Sequence, residues 1–364
     1  MKGEAKFLGV IFYSKLSFNN YLKKKCLKAL NLLRAVGHTD WGADRATLLK
    51  LYRTFVRSKL DYDSVVYGSA KKHVLRALDH IHHQNLRIVL GAFRTSPIKS
   101  FYAEAGEPSL GYRRTKLAFN YILKLKSLPR NPCHDVVFEA PLADFPVDLK
   151  SEPNLVANTF EHIKNAKINL NTIDNLHVQC PPPWEEHQVH VDISPTKQKK
   201  EDTSEGNENV DKLAKAALNK ASYLGKLICW SDVKPKVNAY THTVWQENWD
   251  TEGANKLHEV LPNLGEDLHK RGEGAGRKRE TVMCRLSVGH TWLTQSYFLK
   301  NEEQPFCYAC DSLYTVRHIL IECPDFQVTR RKYFCVTDLY RLFREVNPSR
   351  IVGYLKELGA YGNI

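Results

Sequence analysis

The sequence predicts a mainly α chain: a helical bundle behind one N-terminal strand, a disordered tether, a further helix, and a small Cys/His subdomain of the zinc-binding kind. Three observations predict this. Apolar residues recur at helical spacing through most of the first 130 positions. A polar stretch with no apolar period then interrupts the chain. Near the C-terminus, Cys307, Cys310, His318 and Cys323 fall within seventeen residues. The expected divisions are a helical region over 1–135, a tether over 136–205, a helix and linker over 206–275, the Cys/His unit over 276–345 and an extension over 346–364.

The elements follow in order. Phe7 to Tyr13 is short, apolar and aromatic, and reads as one strand. Asn19 or Asn20 caps a helix whose Tyr21, Leu22, Cys26, Leu27, Leu30, Leu33 and Val36 share a face, and Gly37 ends it. Asp44 caps a second helix holding Leu48, Leu49, Tyr52, Phe55 and Val56. A third runs from about Ala70 to Leu90, with Leu75, Leu78, Ile81, Leu86 and Val89 inward and Gly91 as its stop. Ser100–Glu104 and Arg113–Leu128 are further helices, separated by Gly106-Glu107-Pro108. Past Pro129 the signal decays, through the extended Pro181-Pro182-Pro183-Trp184 and the charged Lys197–Asp202. Helices are then expected over Asn209–Ser222, His242–Asp250 and Thr281–Leu299, with Gly272–Gly276 as a flexible joint.

The Cys/His cluster carries the most specific chemistry. Two residues separate Cys307 from Cys310, seven more precede His318, and four more precede Cys323. One tight turn can present the first two thiolates to a single ion, and zinc favours a four-coordinate sulfur and imidazole set. A short helix from Arg317 to Glu322 would carry His318 towards the pair, and Pro324 would end it. The same residues also fit three buried reduced cysteines beside a surface histidine. Cys284 and His290 read as packing residues or as supports of the ligands rather than ligands, since four ligands are already present.

A formal net charge of +13 favours polyanionic partners, because cations that meet phosphates release condensed counterions. A soluble protein with a merely basic surface would carry the same surplus. Nine scattered cysteines, an odd number, argue for a reducing compartment and against a disulfide scaffold. No apolar run approaches the roughly 20 residues of a membrane span. The first residues lack the apolar stretch of a signal peptide. A nuclear or cytoplasmic protein without a membrane role is expected.

Several strings resemble, in one order, the reverse transcriptases of jockey-like non-LTR retrotransposons. Phe7-Leu8-Gly9-Val10 is similar to the strand that follows the palm. Trp41–Arg45, Leu48–Tyr52, Val56–Tyr62, Leu86–Pro97 and Glu104–Leu110 resemble the thumb and connection helices. Gly206–Ala217 resembles the last helix of the ribonuclease H domain, and Arg285–Thr291 with the Cys/His cluster resembles the C-terminal tail. The resemblance implies an RNA-directed DNA polymerase with ribonuclease H as the parent, and magnesium as the parent enzyme's metal.

The departures bear on activity. In the family, the polymerase aspartates precede the Leu-Gly strand, so that region would lie ahead of Met1. Asp44, Asp61 and Asp63 are poor substitutes: the first reads as a helix cap and the others follow a helix. Of the family's ribonuclease H carboxylates only Asp211 has a counterpart, and one carboxylate cannot seat two metal ions. The 21 residues between Trp184 and Gly206 are too few for the missing sheet. Asp211 is then a relic, and an inactive fragment is expected.

Binding of RNA or DNA can outlast catalysis, because a duplex is gripped through its backbone by Lys and Arg. The candidate phosphate contacts are Lys23, Lys24, Lys25, Arg53, Arg57, Lys71, Lys72, Arg87, Arg94, Arg113 and Arg114 among the first helices, and Arg277, Lys278 and Arg279 ahead of the tail. Each of them also suits a solvated helix face. Phe306, Tyr308 and Tyr314 are candidate stacking residues beside the Cys/His cluster, and suit packing around a small metal-centred core equally well. Two other readings fit the composition: a helical interaction protein with no nucleic-acid role, and the unexpressed product of a pseudogene.

Overall fold

The computed structural model describes residues 4–7, 10–13, 19–62, 64–139, 155–175, 212, 227–266 and 276–364, with side chains from Cys26 onward. The expected Asn209–Ser222 helix, Asp211, Asp63 and most of the glycine-rich joint lie outside these residues. The protein is mainly α, as the apolar periodicity predicts. Two compact units are present, Met1–Ala118 with Pro153–Thr159 and Asn238–Ile364, and Phe119–Glu152 with Phe160–Val237.

The first strand is not alone. Glu4–Phe7 (β1) pairs antiparallel with Val10–Tyr13 (β2), with Phe7 opposite Val10 and Glu4 opposite Tyr13. The expected single strand from Phe7 to Tyr13 is therefore a hairpin, and the four residues before residue 8 supply the missing partner.

Helix α1 (Asn19–Val36) packs on the long helix α5 (Lys72–Leu90). Between them, α2 (Arg45–Tyr52) starts at Asp44, whose carboxylate accepts from the Thr47 amide at 2.9 Å. A π-helical turn, Arg53–Arg57, follows, then α3 (Ser58–Tyr62) and α4 (Ser64–Tyr67). The expected continuous helix is thus broken by a wider turn, which rotates the residues after Tyr52 onto a new face. Helix α5 buries Val74, Leu78, Ile81, Leu86 and Val89 and stops at Gly91, in the left-handed region at φ 64°. A side chain there would also strike Thr281, whose hydroxyl lies 2.5 Å from the position of a Cβ. Helices α6 (Ile98–Ala105) and α7 (Leu110–Lys126) complete the series.

One core joins segments the sequence divides. Leu33, Leu48, Tyr52, Leu86 and Val89 belong to the same buried cluster as Val282, Leu286, Leu320, Leu342, Tyr354 and Leu355. Residues on either side of 275 and of 345 therefore contribute to one buried cluster. The C-terminal extension forms a helix, Pro348–Glu357, with Ile351, Tyr354 and Leu355 fully buried. The expected helix over Thr281–Leu299 is three: Arg277–Val288, Trp292–Gln295 and Tyr297–Lys300. Gly289, at φ 74°, ends the first, and Thr291 caps the next with a reciprocal bond to Thr294.

The tether contains structure too. Leu155–Asn165 is a helix with Leu155, Thr159 and Ile163 buried. In the second unit, Ile173 bridges Ile228 in parallel, and Lys124 and Lys234 both stand over the Trp230 ring. The expected His242 helix starts earlier and spans Lys234–Asp250.

Candidate metal centre

A short hairpin and one helical turn bring the four predicted ligands together. Strand β3 (Phe306–Cys307) pairs with β4 (Ser312–Leu313), so Cys307 stands opposite Ser312. The connecting turn carries Cys310, and Asp311 closes it in the left-handed region at φ 51°. The chain turns helical at Val316, and His318–Glu322 is a π-helical turn. The Thr315 hydroxyl accepts from the His318 amide at 3.0 Å and fixes the start of that turn. Cys323 follows in an extended conformation, as a residue before proline should.

The sulfur of Cys307 lies 3.6 Å from that of Cys310 and 4.0 Å from that of Cys323, and the latter two are 3.6 Å apart. Three thiolates at about 2.3 Å from a tetrahedral zinc ion stand about 3.8 Å from one another. The observed triangle has the size that ion requires. All four ligand atoms, counting a ring nitrogen of His318, lie within 4.8 Å of one another. His318 is buried, its Nδ1 bonds the Ser312 hydroxyl at 3.2 Å, and its Nε2 has no hydrogen-bond partner. With the proton on Nδ1, Nε2 keeps its lone pair for a metal. A buried orphan nitrogen beside three clustered sulfurs fits zinc in a closed four-coordinate site.

The electrostatics agree with a cation at this place. Burial pushes the Cys307 thiol up, but hydrogen bonds shared with the Cys310 thiol and with the Cys323 thiol, and those from the Cys310 and Ala309 amides, outweigh it, leaving the pKa lowered. The Cys310 thiol is pushed up to about 12, by burial first and then by its bonds to, and the charges of, its two neighbours. Three touching thiols resist joint ionisation, and a divalent ion removes that resistance. Arg330, itself buried, donates to the Cys323 carbonyl at 2.9 Å. The buried Tyr354 hydroxyl donates to the Ile319 carbonyl at 2.6 Å, tying the last long helix to the metal turn.

The basic candidates are not one surface. Lys71, Lys72 and Arg94 are exposed, and the side chains of Lys23, Lys24 and Lys25 lie outside the described residues. Arg277 is buried, unlike a phosphate contact: its Nη1 and Nη2 donate to the Val89 and Ile88 carbonyls at 2.8 and 2.6 Å, and its Nε reaches the His38 carbonyl at 3.3 Å. The guanidinium caps the negative end of α5. Lys278 stands 3.7 Å from Asp40, and Arg279 donates to the Ser349 hydroxyl at 2.9 Å. Arg114 is buried beside Asp79 at 3.8 Å, and Arg87 covers the Phe101 ring at 5.3 Å.

Arg53, Arg57 and Arg113 do converge. The buried Glu107 carboxylate accepts from Arg53 Nε at 2.6 Å and from Arg57 Nη1 at 2.6 and 2.8 Å. Asp61 accepts two parallel bonds from Arg113, at 2.6 and 2.5 Å. Asp61 is thus an arginine partner, and Asp44 is a helix cap. Sequence reasoning missed Glu107 as the organiser of this group, and Arg285, whose Nε donates to the Gly91 carbonyl at 2.8 Å and whose Nη1 donates to that of Ile364 at 2.6 Å. No local pattern marks either residue.

Among the described residues one other group could hold a metal, His134, Asp135 and Glu139, and both carboxylates are exposed. No described helix is long and apolar enough to cross a membrane. No protein-family model, curated protein or solved structure matches the chain.

Proposed function

We propose that this protein binds RNA or DNA through a zinc-organised C-terminal unit and separate basic groups on its helices, without transferring phosphoryl groups itself. In this reading it derives from the C-terminal part of a jockey-like non-LTR retrotransposon reverse transcriptase, with thumb and connection helices and a ribonuclease H remnant, and works in the nucleus or cytoplasm. The ligand geometry carries the proposal. Three sulfurs and one imidazole fill every position of a tetrahedral ion, which leaves none for water or substrate and suits a structural role. The hairpin that supplies two ligands also presents Tyr308, 94% exposed, and Phe306. Flat rings beside positive charge are what unpaired bases stack upon. The acidic residues Asp44, Asp61, Glu104 and Glu107 are each engaged by a cap or an arginine, which argues against a magnesium pair at them.

The test is binding of single-stranded RNA and DNA oligonucleotides to the purified zinc-loaded chain across a salt series. Contacts to several phosphates should weaken affinity by about 10³ or more between 50 and 200 mM salt. Tyr308→Ala should weaken it further without changing zinc content. Affinity that is absent, or that ignores salt, would favour the helical interaction protein instead.

A further inference from the structure

A cleft of about 420 Å³ opens beside the Glu107 group. Its size lies in the range, roughly 300–1,000 Å³, of small-molecule sites. The π-helical turn supplies Arg53 and Arg57 to one wall, the Gly106–Pro108 loop supplies Glu107, and α7 supplies Tyr112, Arg113 and Lys116. The opposite wall comes from the Lys234–Asp250 helix, with His242 and Trp245.

Cations gather at this place. Arg53, Arg57 and Arg113 are held by Glu107 and Asp61, and Lys116 lines the same cleft. Glu247 is near enough to Tyr112 to raise the phenol pKa, after burial, but does not line the cleft. Arg53 is tied to Glu107 only through Nε, and its side chain is 42% exposed, so the outer fork of its guanidinium remains to donate. The Lys116 ammonium is held below its ordinary pKa by burial first, then by the charges of Arg113 and Arg57. A bound anion would relieve all of these repulsions at once. Carboxylates that fix each guanidinium from behind also remove the entropy cost of ordering it on a ligand.

We propose that this cleft holds a phosphorylated nucleotide unit, its phosphate on Arg53, Arg57 and Lys116 and its base against Tyr112 and Trp245. Arginine forks match phosphate geometry, and aromatic faces accept any base. The inference deepens the strand-binding proposal by assigning it a definite cleft, yet it does not depend on zinc. The unit can come from a free nucleotide or from an oligonucleotide strand, and both carry the same chemistry.

The experiment uses the full zinc-loaded chain and follows tryptophan fluorescence. Adenosine 5′-monophosphate, adenosine and a ten-nucleotide oligo(A) are titrated separately and in competition. The monophosphate should quench the signal, and adenosine should bind about tenfold more weakly for want of charge-assisted bonds. Arg53→Gln and Lys116→Gln should each weaken the monophosphate by about tenfold. Thermal melts of both variants, run in parallel, separate lost binding from lost folding. Competition by oligo(A) places a strand in the cleft, and cleft-dependent monophosphate binding without competition assigns a free nucleotide. Monophosphate binding that is absent, or unmoved by both substitutions, overturns the inference. Oligo(A) binding that survives both substitutions in that case leaves the strand-binding proposal standing elsewhere on the protein. Monophosphate binding without any oligo(A) binding at low salt defeats that proposal and spares the cleft.

Discussion

Ser312 sets which nitrogen of His318 faces the sulfurs. Its hydroxyl holds Nδ1 at 3.2 Å, so Nε2 alone remains for a metal. Second partners of this kind fix ring orientation and ligand basicity. Ser312→Ala is expected to weaken zinc roughly tenfold in a chelator competition. Asp311 gives a second residue-level prediction. Its left-handed backbone costs an L-residue roughly 1 kcal/mol, which glycine avoids. Asp311→Gly should leave zinc affinity unchanged or raised, and Asp311→Val should lower thermal stability. Arg277 separates two meanings of a basic residue. Arg277→Met strips donors from the Ile88 and Val89 carbonyls and should cost about 3 kcal/mol in denaturant unfolding. Oligonucleotide affinity should not change, since the guanidinium is buried.

Two π-helical turns, Arg53–Arg57 and His318–Glu322, carry the two places where chemistry gathers. Each sits where a sequence pattern shows ordinary helix, because periodicity reports which residues are apolar and not how wide a turn is. The Cys/His cluster itself was legible, since its four members lie within seventeen residues and local spacing fixes their approach. Two helix ends were legible for the same reason: Asp44 and Gly91 act within one turn of themselves, whereas Gly289 ends a helix that the apolar pattern carries on to Leu299. The helix Leu155–Asn165 was not, because its apolar residues stand between polar stretches that dilute any compositional window. The hairpin β1–β2 was half legible. Its second strand is apolar and β-branched, whereas Glu4-Ala5-Lys6 has no strand character without its partner.

Across the molecule, the shared core explains what local reading could not give. Arg277 and Arg285 are eight residues apart on one helix and both donate to carbonyls at the end of α5. In the sequence they look like solvated charge, because their partners lie some 190 residues away. The core also predicts a pH response. Burial, joined by the charge of His83, lowers the His82 pKa to about 3, while burial with His80 and burial with Lys256 lower His83 and His290 to about 4. The Tyr52 and Tyr102 hydroxyls bond the first two rings at 2.6 Å, and Thr95 bonds the third at 3.0 Å. Unfolding returns each to about 6.5, so the unfolded chain binds more protons below that value. Stability is therefore fully present above pH 6.5 and falls as pH drops towards 4 and then 3. Denaturant midpoints of the Cys310→Ser variant, which excludes metal release, should decline through this window. A flat profile from pH 7 to 4 would show that these histidines titrate normally in the folded chain.

The arrangement of Cys307, Cys310, His318 and Cys323 as one closed zinc site is the claim on which the rest stands. Zinc X-ray absorption on the purified protein tests it most directly. The expected spectrum shows one ion per chain with three sulfurs at about 2.3 Å and one nitrogen at about 2.0 Å. Substoichiometric zinc, a first shell of oxygen, or a disulfide between any two of these cysteines would contradict it.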